Sequence, residues 1–175
     1  SKMENGALLD IKDKEQTSYC VPLWMRDENI KLALARTPNR IEPYPEGKVR
    51  EEPIAVVGFG PSLNETWQRL RDFKTIITCS GSHKFLVERG ITPTYHCEVD
   101  PRAHKTKLIG PPCKETEYLI SSTCHQAVFD HLEGFTVKVW HVFDSAEDAL
   151  RTLPHGEWAL TGGCSVGLRA ITIAR

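Results

Sequence analysis

The chain has 175 residues, a formal net charge of −1, and 26% charged against 40% hydrophobic residues. That length allows one domain with a real core. The near balance of charge excludes the broad basic surface that grips nucleic acid, and no apolar run approaches the length that spans a membrane.

Residues 1–52 are polar and interrupted by Pro22, Pro38, Pro43 and Pro45. They read as an N-terminal extended and helical arm that packs across the core domain or across a neighbouring subunit, which makes a homo-oligomer through the arm one expectation. One helix is expected from Asp27 to Arg36, with Ile30, Leu32, Ala33 and Leu34 on its apolar side; Thr37-Pro38-Asn39 breaks it.

From residue 53 the pattern alternates. The apolar run Ile54–Val57 ends in Gly58-Phe59-Gly60-Pro61, and a helix is expected from Pro61 to Asp72. Pro61 suits a first helical position, and Ser62 with Glu65 has capping-box spacing. Strand, glycine turn and helix together form a phosphate-binding βα turn, although many such turns bind nothing. A second strand, Thr75–Cys79, leads to a helix from Ser82 to Arg89 closed by Gly90. A third strand spans Thr94–Val99, and a polar connection runs from Arg102 to Thr116. The fourth strand is Glu117–Ser121, with a helix from His125 to Leu132. The fifth is Thr136–Phe143, followed by a short helix from Ser145 to Leu153. Strands alternating with short helices indicate an α/β, Rossmann-like, three-layer domain over residues 53–175 with a mainly parallel sheet. A second glycine-rich turn, Gly162-Gly163-Cys164-Ser165, opens a last helix in which the chain stops, as a domain truncated at its C-terminus would.

Ligands of parallel α/β sheets bind beyond the carboxyl ends of the strands. Gly58–Ser62, Ser80–Lys84 and Glu98–Asp100 all fall there. A dinucleotide is disfavoured: the third fingerprint glycine is missing near Leu63, and no carboxylate ends the second strand. NADP stays open through Ser80, Ser82, His83 and Lys84. Glu98 and Asp100, two apart on a strand, would share a face and can hold Mg²⁺ beside phosphates; their ordinary reading is a strand-end pair neutralised by Arg102 or His104. Six cysteines occur without a C-x-x-C pair, so no structural zinc site is indicated. They read as buried small hydrophobes in a reducing, cytoplasmic setting.

Gly58-Phe59-Gly60-Pro61-Ser62-Leu63, then Gly90-Ile91-Thr92-Pro93 leading to Glu98-Val99-Asp100, then Gly162-Gly163-Cys164-Ser165-Val166-Gly167, together resemble the MptE-like family. It is named for the archaeal 6-hydroxymethylpterin diphosphokinase, includes the motility accessory factors linked to flagellin glycosylation, and is similar to sialyltransferases that use CMP-sugars. The resemblance covers residues 53–175. It implies that Gly58, Gly60, Pro61, Ser62, Ser80, Gly162, Gly163 and Ser165 surround a nucleotide or phosphorylated donor, with a small-molecule acceptor as the second substrate. Asp100 matches the acidic position that would bring Mg²⁺ with ATP in the diphosphokinase branch; Glu98 stands where an aspartate is expected. In the alternative reading the donor is a CMP-sugar, no metal is needed, and His125 serves as general acid or base. A third reading is a non-catalytic binding or assembly module that kept the fold.

Overall fold

The computed structural model describes residues 20–42, 47–48, 50–160 and 173. Helix α1 spans Leu23–Arg36. The sheet and its crossovers follow: β1 Ile54–Val57, α2 Leu63–Thr66, β2 Thr75–Cys79, α3 Ser82–Val87, β3 Tyr95–Glu98, α4 Lys105–Ile109, β4 Glu117–Ser121, α5 Gln126–His131, β5 Thr136–Val142, α6 Ala146–Thr152 and β6 Ala159–Leu160. Among the described residues these strands form one parallel sheet in the order β1-β2-β3-β4-β5-β6. The expected α/β, Rossmann-like architecture is therefore present. Because the order never reverses, right-handed crossovers place successive helices on one face, and α3 packs on α4, α4 on α5, and α5 on α1.

Period-two alternation divides the strand residues between two faces. On the helix side, Ala55, Val57 and Ile76 pack with Leu86, while Tyr118, Ile120 and Val139 pack with Ile109, Val128, Phe129 and Ala33. On the other side Ile77, Cys79, Cys97, Leu119, Trp140 and Val142 form a second cluster, joined by Ile41 and Ile173. Both faces of the central strands are covered, which is why Thr75–Cys79 and Glu117–Ser121 read as almost continuous apolar runs rather than alternating ones. Cys79, Cys97 and Cys124 are buried within these layers, and burial pushes the Cys79 thiol up to about 12.

The leading segment joins this core. Ile30 packs with Phe143 and Ala149, and Ala33 is fully buried against α5, whereas Leu32 is exposed. Farther on, Arg40 bridges Val139 in parallel fashion, so Asn39–Ile41 borders the first half of β5 and β6 borders the second.

The helix expected from Pro61 to Asp72 breaks into α2 and a 3₁₀ stretch, Trp67–Asp72. Asn64 Nδ2 donates to Pro61 O and Thr66 Oγ1 donates to Ser62 O; such local bonds compete with a regular helix. The expected capping box does not form, because Ser62 already has helical backbone angles and its side chain makes no cap bond. Gly90 closes the turn after α3 as expected. At φ +78° its N–H bonds to Val87 O and that of Ile91 to Leu86 O, a Schellman closure.

Candidate functional site

The carboxyl ends of β1 to β4 lie side by side, and the loops leaving them form the candidate site. The Gly58–Ser62 loop is exposed, and a Cβ at Gly58 or Gly60 would meet nothing within 4 Å. Its Phe59 side chain is 58% exposed and lies over Gly81: a Cβ there would stand 2.6 Å from Phe59 Cδ1. That contact seats the glycine loop beside Ser80 and explains why position 81 carries no side chain. Below it, the buried Ser82 hydroxyl accepts from Cys79 N–H and lies 2.8 Å from Val57 O, tying the ends of β1 and β2 together.

Ser80 has φ +54°, a left-handed conformation that costs a non-glycine residue roughly 1–2 kcal/mol. Its Oγ accepts from Lys105 Nζ at 3.1 Å. Lys105 also lies 3.3 Å from Asp100 Oδ2, with its side chain 12% exposed. Arg102 grips Asp100 from the other side: its backbone N–H and Nε donate to Oδ1 at 3.0 and 2.8 Å, and Nη2 donates to Oδ2. Burial alone would raise the Asp100 carboxyl, but the Arg102 bonds and the Lys105 charge outweigh it and hold it at about 2.

Glu98 sits differently. Strand β3 ends there, so strand alternation does not carry on to Asp100, and the two carboxylates do not share a strand face as expected. Glu98 is fully buried. Its Oε1 accepts from the N–H groups of Val99 and Asp100. Among the described residues its Oε2 has no hydrogen-bond partner, nor does His96 Nε2, which lies 3.9 Å away. Burial raises the Glu98 carboxyl, with the Lys105 charge working against it. Mg²⁺ is usually held by one or two carboxylates together with substrate phosphates and water. Here one carboxyl is buried with Oε1 on two backbone N–H groups, and the other is held by two cations. No group of three metal-capable side chains occurs among the described residues. As folded, both carboxyls are already engaged, Asp100 by Arg102 and Lys105, and Glu98 by the N–H groups of Val99 and Asp100.

The end of β4 is largely committed to structure. Ser121 Oγ bonds Thr123 Oγ1, Thr123 Oγ1 donates to Val99 O, and Asn29 Nδ2 of α1 donates to Thr123 O. Ser122 Oγ lies 2.7 Å from His141 Nδ1, and His141 Nε2 lies 2.8 Å from Glu157 Oε2, which Arg40 also holds. This series has triad spacing, but Ser122 is fully buried and unavailable as a nucleophile. His125 caps α5, its Nδ1 accepting from Ala127 N–H at 3.0 Å. That bond puts the ring proton on Nε2, so in this tautomer the free nitrogen is a donor. Replacing His125 with Ala is expected to cost about 1 kcal/mol through the lost cap, and replacing it with Asn much less; thermal unfolding of both variants tests this. A reaction rate that falls in His125→Asn at unchanged stability identifies a catalytic role beyond the cap.

The structure therefore brings Gly58, Gly60, Pro61, Ser62, Ser80 and Asp100 to one edge, with His125 at the end of β4. Gly162, Gly163 and Ser165 lie outside the described residues. Lys105 escaped the sequence reading because α4 is one short helix inside a polar connection; the only hint was the apolar pair Leu108-Ile109.

A consecutive parallel sheet with helical crossovers defines a Rossmann-like α/β domain. The chain belongs to the MptE-like family: residues 28–175 match the family described as 6-hydroxymethylpterin diphosphokinase MptE-like. Among solved structures it is similar to the MAf glycosyltransferase from Magnetospirillum magneticum AMB-1, with a TM-score of 0.64 and 21% identity. That match covers 86% of this chain but 25% of the other, so it supports the fold alone. No curated protein matches the chain.

Proposed function

We propose that this domain binds the nucleotide-linked donor of a transferase, and that the donor is a CMP-sugar whose glycosyl group passes to a small-molecule acceptor. The observation that carries this reading is the β1–β3 carboxyl edge, where the open backbone at Gly58 and Gly60 adjoins Ser80 Oγ and the Lys105 ammonium. A phosphoryl group fits such a surface: unobstructed backbone, a hydroxyl and a cation. Pro61 and Ser62 would border it. The glycosyl bond to phosphate breaks as the acceptor oxygen attacks, and the departing CMP gains negative charge that fixed donors stabilise. Asp100 sets the orientation of Lys105 and Arg102, and His125 Nε2–H offers a further donor.

The second reading is Mg²⁺-dependent diphosphate transfer from ATP to a hydroxymethylpterin, which the family description favours. It requires the Glu98 carboxyl to turn outward and Asp100 to exchange a cation for the metal.

Thermal unfolding with CMP, CTP, ATP and GTP, each with and without Mg²⁺, separates the two. A ligand at a hundred times its Kd stabilises by about 2.7 kcal/mol, a shift of roughly 5–10 °C for a domain of this size. A shift with CMP or CTP in EDTA supports glycosyl transfer. A shift with ATP that needs Mg²⁺ overturns it in favour of the diphosphokinase reading. No shift with any nucleotide sinks both.

A further inference from the structure

The charges at the end of β3 do not balance. Asp100 is one carboxylate, yet Arg102 and Lys105 both lie against it. Glu98 does not face these cations with a hydrogen bond: it is fully buried, and its Oε1 accepts from the N–H groups of Val99 and Asp100. Around Asp100 itself, two cations meet one carboxylate. The two cations differ in setting: the Arg102 side chain is 53% exposed and keeps its water, whereas Lys105 is mostly withdrawn from solvent, and its partners among the described residues are a shared carboxylate oxygen and a serine hydroxyl. An ammonium has three donors, and these contacts use two.

Ser80 supplies a second, independent observation. It is a non-glycine residue in the left-handed region, where glycine would carry no strain. Backbone strain of this kind persists where the surroundings enforce it and is concentrated at binding sites. What serine offers there and glycine does not is the Oγ that meets Lys105. The Phe59 side chain of the glycine loop lies over Gly81, the residue next to Ser80, so the loop and the hydroxyl that meets Lys105 belong to the same carboxyl edge of the sheet.

We propose that Lys105, with Ser80 Oγ and Arg102, forms a metal-independent anion site for the donor's phosphoryl group, in which the lysine supplies the counter-charge that a divalent cation would otherwise provide. Asp100 is the positioning residue: it keeps both cations at the strand ends before the ligand arrives. The inference rests on the nucleotide-donor reading for the identity of the anion, but not for the existence of the site.

The test is titration calorimetry on the intact protein with inorganic pyrophosphate and with CMP, in EDTA and then in Mg²⁺. Wild type is expected to bind both ligands in EDTA. Lys105→Met should weaken both about ten- to a hundred-fold, the loss expected for a charged hydrogen bond, while Lys105→Arg keeps most of the affinity. Ser80→Gly should weaken binding without lowering the melting temperature of the free protein, which a merely structural serine would not do. Melting temperatures of the free variants show that each folds. Binding unchanged in Lys105→Met, or binding that appears only with Mg²⁺, overturns the site. If pyrophosphate binds through Lys105 but CMP, CTP, ATP and GTP bind no tighter, the site stands and the nucleotide reading falls. If nucleotides bind and Lys105→Met binds them equally, the reading stands and the site falls.

Discussion

Acidification below pH 6.5 is expected to destabilise the domain, each histidine that stays neutral in the folded protein adding up to about 1.4 kcal/mol per pH unit. Three buried histidines are the cause. His83 Nδ1–H donates to Ile109 O, and its Nε2 accepts from Tyr118 OH, whose oxygen in turn accepts from Cys113 N–H; both ring nitrogens are committed to a neutral tautomer. Burial lowers its pKa, with the Ile109 bond working against this. His96 has Thr78 Oγ1 at 2.9 Å from Nδ1, and burial, then the His83 and Lys105 charges, push it well below its ordinary value. His141 is lowered by burial, against the pull of Glu157. Facing these rings are Lys105 from α4, Tyr118 from β4, Glu98 from β3 itself, and Glu157 with Arg40 from the β5 edge. A histidine with a lowered folded pKa contributes stability that is complete above about 6.5 and is lost as pH falls towards the folded value. Glu98 has the opposite sign: its raised pKa adds stability at low pH and works against the histidines. Urea midpoints between pH 7.5 and 5.5 measure the slope. His141→Gln should remove about one proton from it, and a midpoint that stays flat across the range would falsify the account.

The same comparison shows what the sequence made legible. The parallel α/β core was readable because Thr75–Cys79 and Glu117–Ser121 are covered on both faces and, with Ile54–Val57 at the edge, leave nearly continuous apolar runs. Gly90 was readable because a left-handed C-cap is local chemistry. The site was legible in position but not in detail. That Gly58–Ser62, Ser80 and Asp100 reach one edge follows from the topology of parallel sheets. The partner of Asp100 is set by a short helix in another part of the chain, and α4 is too short to show a helical period. Glu98 looked like Asp100's twin because period two was extended one step past the strand end. In the structure the chain turns there, and the carboxyl goes inward to hold the backbone of the residues that follow. The leading segment was misleading in another way. Leu23–Arg36 carries a weak apolar face with charges around it, yet Arg26 and Asn29 are among its buried residues. Polar groups buried with partners leave no signature in a hydropathy pattern.

Replacing Arg26 with Met is expected to destabilise the domain by about 3–5 kcal/mol, the range for removing one partner of a buried ion pair. The Arg26 side chain is 2% exposed. Its guanidinium holds Asp148 with both terminal nitrogens, at 2.5 and 3.2 Å, donates from Nε to Asp27 at 2.9 Å, and reaches Thr152. It also lies 5.1 Å from the centre of the Phe143 ring. Burial works against its charge, and the bonds to Asp148 and Asp27 outweigh that. Asp148 stands in the first turn of α6, where Ser145 caps the helix by accepting from its N–H, so the pair fixes α6 to α1. Met keeps the packing volume but offers no donor, so the 22% exposed Asp148 carboxylate loses the two-pronged bond and keeps Thr152 Oγ1 and the nearby Arg151. Arg26→Lys should recover only part of the loss, since an ammonium cannot form the two-pronged bond. Arg26→Met with Asp148→Asn should cost clearly less than the sum of the two single changes, because the second removes the charge that the first strands. Chemical denaturation of the four proteins gives the coupling, and a loss under 1 kcal/mol in Arg26→Met would mean that the pair is not what anchors α1. The consequence reaches the candidate site through the same helix. Asn29, one turn beyond Arg26, donates to Thr123 O, and Thr123 Oγ1 donates to Val99 O beside Asp100. A loosened α1 is therefore expected to weaken anion binding at Lys105 although no residue of α1 touches the ligand.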